Sequence, residues 1–202
     1  MKRVNLNQIK AIPMMIGLAL IFVSAACDPY AAGNKFLQQG KYKEAAAYFE
    51  DKIKSKPDDP VLNNQLAYSY TKIGKFNDAL NYYEKAIKLK PDYPEAHYNL
   101  GYLYMNRPFM RVPDAIKEFD QAITLKPSYT KAYNNRGLSY CYTARYDLGQ
   151  KDLQKAIELD AQNKVYKDNL EYCKNLAEVT KVVPKPESKP EPPAVPTPGK
   201  KP

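Results

Sequence analysis

The chain has 202 residues and a formal net charge of +9, a balance that raises the question of a nucleic-acid ligand. Lys2, Arg3 and Lys10 carry +3 of it near the start, and five lysines against two glutamates after Thr180 carry another +3, leaving +3 for residues 27–180. So small a basic excess on the folded part argues against DNA or RNA binding. The cysteines, Cys27, Cys141 and Cys173, lack the paired spacing of a zinc site.

In residues 1–26 basic Lys2, Arg3 and Lys10 precede the apolar run Ala11 to Val23, and Ser24, Ala25 and Ala26 then lead to Cys27. This basic, apolar, small order is the layout of an export signal. The run falls short of the ~20 apolar residues that span a bilayer. Val23-Ser24-Ala25-Ala26-Cys27 resembles the bacterial lipoprotein signal, although Ser24 stands where a leucine is usual. The resemblance implies that Cys27 becomes the lipidated first residue, facing the periplasm or the exterior. Asp28 resembles the inner-membrane retention signal of enteric bacteria, and the choice between inner and outer membrane stays open. A plain secretory signal cut near Ala26 is the alternative, and would release a soluble periplasmic protein.

From residue 27 the chain repeats itself. Ala86-Ile87-Lys88-Leu89-Lys90-Pro91 returns as Ala122-Ile123-Thr124-Leu125-Lys126-Pro127 and as Ala156-Ile157-Glu158-Leu159-Asp160-Ala161, and Gly40-Lys41-Tyr42 returns as Gly74-Lys75-Phe76. Within a unit, Leu66, Tyr70 and Ile73 recur at helical spacing before Gly74, and Phe76, Leu80, Tyr83 and Ile87 do so after it. Two antiparallel helices joined at a glycine turn are predicted, with Pro91 ending the second.

These residues resemble the tetratricopeptide repeat (TPR). Leu66, Ala67, Tyr70, Gly74, Ala79, Tyr83, Ala86 and Pro91 follow its pattern in the second unit. The resemblance implies an all-α superhelical solenoid of four helix-turn-helix repeats, at 27–57, 60–93, 94–129 and 130–163. The third carries two extra turn residues around Arg107-Pro108-Phe109, and the fourth has Ala144 in its turn and Gly149 where Ala is usual. A capping helix is predicted over 164–179, with Val165, Tyr166, Leu170, Cys173 and Leu176 packed on the fourth repeat. The tail from 180 to 202 is rich in proline and lysine and is expected to remain unfolded and extended. Cys141 and Cys173 would stand on successive first helices at nearly equal heights, so an oxidising compartment would permit a disulfide between them.

Little points to catalysis. His97 is the one histidine, no nucleotide-type glycine loop or G-x-S-x-G elbow occurs, and no metal or cofactor is implied. His97 reads as a ring packed between helices. The concave-face positions of the TPR instead map onto Asn64, Tyr68 and Lys72, then Tyr98, Asn99 and Tyr102, then Lys131, Asn134, Asn135 and Tyr142. Asparagine amides can satisfy a peptide backbone and tyrosines add apolar area with a polar tip, which suits a protein or peptide partner. Relatives that clamp a terminal carboxylate use a Lys, Asn, Asn, Lys, Arg set, and here only Asn99 and Lys131 match it. The expectation is a lipid-anchored interaction scaffold of the bacterial envelope, with self-association, or an enzyme of unrecognised site, as the alternatives.

Overall fold

The computed structural model describes residues 29–182. The export leader, Cys27 and the tail beyond Val182 lie outside the described residues. Among the described residues the chain forms helices α1 (Ala31–Gln38), α2 (Tyr42–Ser55), α3 (Pro60–Lys72), α4 (Phe76–Leu89), α5 (Pro94–Met105), α6 (Val112–Leu125), α7 (Thr130–Tyr142), α8 (Tyr146–Leu159) and α9 (Lys164–Val182), and no strand. Consecutive helices pack in pairs, α1 with α2 through α7 with α8, and α9 closes the array on α7 and α8. No helix among the described residues is long and apolar enough to cross a membrane.

Local chemistry sets the boundaries. Asp59 caps α3, its Oδ1 accepting from the backbone N–H of Val61 at 2.9 Å and of Leu62 at 3.1 Å, with Pro60 preorganised behind it. Each pair turns through one residue of positive φ, Gly40 and Gly74 in the first two repeats and Met110 and Ala144 in the last two. Glycine takes that conformation freely, whereas Met110 and Ala144 adopt it at a cost of roughly 1 kcal/mol. The same backbone bond closes each turn: Lys41, Lys75, Arg111 and Arg145 donate to the carbonyls of Phe36, Tyr70, Tyr104 and Tyr140 at 2.8–2.9 Å. The extra residues of the third turn are thus looped out, and Arg111 recovers the register.

Small residues let the paired helices touch. Gly33, Gly101 and Gly137 face the buried side chains Phe49, Phe119 and Leu153, and buried Ala67 holds the equivalent place in the second repeat. A Cβ at Gly101 would lie 2.8 Å from the Phe119 ring, too close for any side chain. Gly149 is explained by the same crowding. A Cβ there would meet the Cys141 sulfur and, at 2.8 Å, the Gly137 carbonyl.

The fourth repeat departs from the others. Where repeats two and three bury Leu66 and Leu100, it carries Arg136, gripped by Asp152 through Nε and Nη2 at 2.6 and 2.7 Å and by Asp120 through Nη1 at 2.6 Å. Burial opposes the guanidinium charge, and the bonds to the two carboxylates outweigh it, so its pKa is raised. Cys141 and Cys173 are joined as a disulfide with alpha carbons 5.6 Å apart, tying α9 to α7.

Helix α9 departs from expectation in two respects. It continues to Val182, so residues 180–182, assigned to the tail, are helical. Val165, expected in the packed face, is 57% exposed, because it shares its side of the helix with exposed Tyr172 and Val179 at intervals of seven. Tyr166, Cys173 and Ala177 form the buried side, and Lys167, Asp168, Glu171 and Lys174 face water.

Candidate binding groove

The first helices of repeats two, three and four, α3, α5 and α7, supply one wall of a recess of about 660 Å³. Tyr68 and Lys72 enter it from α3, Tyr98, Asn99 and Tyr102 from α5, and Lys131 from α7. The loop before α7 adds Lys126 and Tyr129, and α9 adds Tyr166. The expected concave positions on three different repeats are therefore brought to one place.

Aromatic rings dominate its surface. Tyr98 lies 5.0 Å from Tyr129 and 5.9 Å from Phe119, centroid to centroid, which fixes the middle of the wall. Burial, with the neighbouring Tyr102, pushes the Tyr98 phenol up to about 12, and burial also raises Tyr129. Both therefore stay neutral at ordinary pH and can donate hydrogen bonds. The Lys72 ammonium lies 5.2 Å from the centre of the Tyr68 ring, and Lys126 binds Glu95 at 3.1 Å. Asp160 is the carboxylate that lines the recess.

Four of the ten expected positions are placed elsewhere. Asn64, Asn134 and Asn135 are buried between repeats rather than presented to a ligand. Their amides belong to a ladder with at least one rung per junction: Gln65 donates to Asn34 at 3.1 Å, Asn99 to Asn64 at 3.0 Å, Asn135 to the Tyr98 hydroxyl at 3.2 Å and Asn169 to Asn134 at 2.8 Å. Each rung satisfies polar groups that the packed helices remove from water. Tyr142 leaves the recess for α9, where it meets Tyr172 edge to face at 6.5 Å.

Some lining residues were not anticipated. Tyr129 belongs to a recurring Lys-Pro-x-Tyr segment, Lys90 to Tyr93 and Lys126 to Tyr129, in which each lysine lies about over its own tyrosine, at 5.2 and 4.9 Å. That recurrence was the available signal. His97 lies away from the recess: Nδ1 is 2.7 Å from Glu118 and Nε2 is 3.0 Å from the Pro91 carbonyl. Asn63 makes the matching bond to the Pro57 carbonyl at 3.0 Å, so this position fastens the second and third repeats to the proline that ends the one before. Among the described residues no three His, Cys, Asp or Glu side chains gather as a metal site.

Comparison with known proteins agrees with this fold. Residues 67–106 match the family described as TPR repeat, and residues 130–163 match the tetratricopeptide repeat. No curated protein matches the chain. Among solved structures, that of MamA is 25% identical, covers 72% of this chain and 86% of its own, and superposes with a TM-score of 0.62. A thermophilic TPR protein of Thermus thermophilus is 22% identical over 77% of this chain and 87% of its own, with a TM-score of 0.63. The first TPR of Spaghetti (RPAP3), bound to the HSP90 peptide SRMEEVD, is 24% identical over 57% of this chain and 90% of its own, with a TM-score of 0.55. Residues 67–106 and 130–163 thus carry tetratricopeptide repeats, and the described part of the chain folds as an all-α solenoid of the TPR type.

Proposed function

We propose that the protein is a membrane-anchored scaffold of the bacterial cell envelope that holds a peptide or protein segment in its concave recess. The observation that carries the reading is the convergence of Tyr68, Tyr98 and Tyr102 on a recess of about 660 Å³, a volume suited to part of an extended segment. Tyrosine in that setting offers contact area at low conformational cost. The repeat family and the peptide-bound neighbour structure support the same choice. The envelope assignment draws on the residues that end at Cys27 and on the bridge between Cys141 and Cys173, which suits an oxidising compartment. Since α1 starts at Ala31, an acylated Cys27 would hold the array against the lipid surface.

A photo-crosslinking residue in place of Tyr102, introduced in the native host, should trap the partner. Tyr68→Ala and Tyr102→Ala should each weaken its binding about thirtyfold, the effect of losing an aromatic anchor worth ~2 kcal/mol, with little loss of stability. Full binding by the double variant would move the partner off this surface. For the anchor, Cys27→Ser should accumulate unprocessed precursor without acyl label, and retained label would overturn the assignment.

A further inference from the structure

The corner of the recess nearest the third-repeat turn has its own character. Lys72 and Arg107 together line a smaller pocket of about 260 Å³ that shares Thr71, Lys72 and Tyr102 with the main recess. Neither cation forms an ion pair among the described residues, and Lys72 is held only against the Tyr68 and Tyr42 rings. At the far end Lys131 is likewise unpaired, and Asp160 is the carboxylate in the lining. Arg107 is in place because the extra turn residues carry the chain out beyond α5 before Arg111 restores the register.

We infer that the recess selects an acidic extended segment of a partner protein, with a carboxylate seated between Lys72 and Arg107, a second near Lys131, and an apolar or aromatic side chain on Tyr68 and Tyr102 between them. This rests on the groove reading above and adds the charge and the length of the occupant. Lys72 ends α3 and Lys131 stands in the first turn of α7, two first helices further on. With helices packed ~10 Å apart and rising ~1.5 Å per residue, the cations are roughly 20–25 Å apart on the diagonal. An extended segment at ~3.3 Å per residue covers that span in about six to eight residues. The tail of this chain is excluded as occupant by charge, because Lys185, Lys189, Lys200 and Lys201 outnumber Glu187 and Glu191. A guanidinium beside an ammonium favours carboxylate oxygens through charge-assisted hydrogen bonds.

The test is selection of a random-sequence displayed peptide library on the full chain in detergent, repeated with Lys72→Ala/Arg107→Ala and with Tyr68→Ala/Tyr102→Ala. Wild type should enrich Asp and Glu at positions six to eight apart. The cation variant should bind the selected peptides roughly tenfold more weakly with unchanged thermal melting, and raised salt should do the same to wild type. Lys72→Arg should restore most of the lost affinity. Enrichment of neutral or basic peptides that still depend on the tyrosine pair would overturn the acidic selection and leave the groove reading standing. No enrichment, or enriched peptides indifferent to both variants, would overturn the groove itself. A wild-type dimer dissolved by the cation variant would assign the corner to a second copy instead. Binding to phosphatidylglycerol vesicles that the same variant abolishes would assign it to a lipid surface.

Discussion

The side-chain amide of Asn99 donates to Oδ1 of Asn64 over 3.0 Å, across the junction of the second and third repeats. Asn64 is 3% exposed, so water cannot replace the lost donor. Asn99→Ala should cost about 1–2 kcal/mol in urea unfolding, and a double-mutant cycle with Asn64→Ala should give a coupling of about 0.5–1.5 kcal/mol. A loss within about 0.5 kcal/mol, typical of a surface change, would return Asn99 to a purely ligand-facing role.

Two carboxylates share Arg136 unequally. Asp152 is bidentate and its side chain is 8% exposed, whereas Asp120 makes one bond and is 44% exposed. Asp152→Ala leaves a half-buried cation half-compensated and should destabilise the array by about 2–3 kcal/mol, while Asp120→Ala should cost about 1 kcal/mol or less. Chemical unfolding of both variants measures the ratio.

His97 is set between two acceptors, the Glu118 carboxylate and the Pro91 carbonyl, so the doubly protonated ring satisfies both. Burial lowers its pKa, the bonds to Glu118 and Pro91 and the Glu118 charge raise it, and the net direction is upward. With the folded value above the unfolded one of about 6.5, the added stability is complete below pH ~6.5 and is lost as pH rises through the folded value. Thermal melting should therefore fall on going from mildly acid to mildly alkaline buffer. Glu118→Gln should flatten that slope, and an unchanged slope would place the titration elsewhere.

Ala79 and Ala86 are fully buried where α4 crosses its neighbours. Ala79→Leu and Ala86→Leu should each cost about 1–3 kcal/mol by overpacking. Melting at the wild-type temperature would mean that these alanines do not lie at crossings.

Much of this architecture was legible because close helix crossings demand small residues, and Gly33, Ala67, Gly101 and Gly137 recur at a nearly constant interval, the three glycines beside Phe49, Phe119 and Leu153. The groove was legible through Tyr68, Lys72, Tyr98, Asn99, Tyr102 and Lys131, whose helical positions bring them to one wall. Asn64, Asn134 and Asn135 were misread because an amide's residue type does not reveal whether its partner is a ligand or the next repeat. The interval of 35 residues from Asn64 to Asn99, repeated from Asn134 to Asn169, held that information. Arg136 was invisible because it interrupts the leucine pattern and its acidic partners lie on two other helices. Tyr142 was misplaced because α9 occupies the site of another first helix and brings Tyr172 against it.

The bridge between Cys141 and Cys173 also gives the array a direction. A solenoid whose units lean only on their neighbours unravels from whichever end is held least. Its last interface is covalently clasped, while α1 is eight residues long and packs mainly on α2. Amide exchange should therefore advance from α1 toward α9, and reduction of the bridge, worth about 2–4 kcal/mol, should let it start from both ends. The looser end is the one formed by α1 and α2, so thermal breathing widens the array there while the end clasped to α9 keeps its shape.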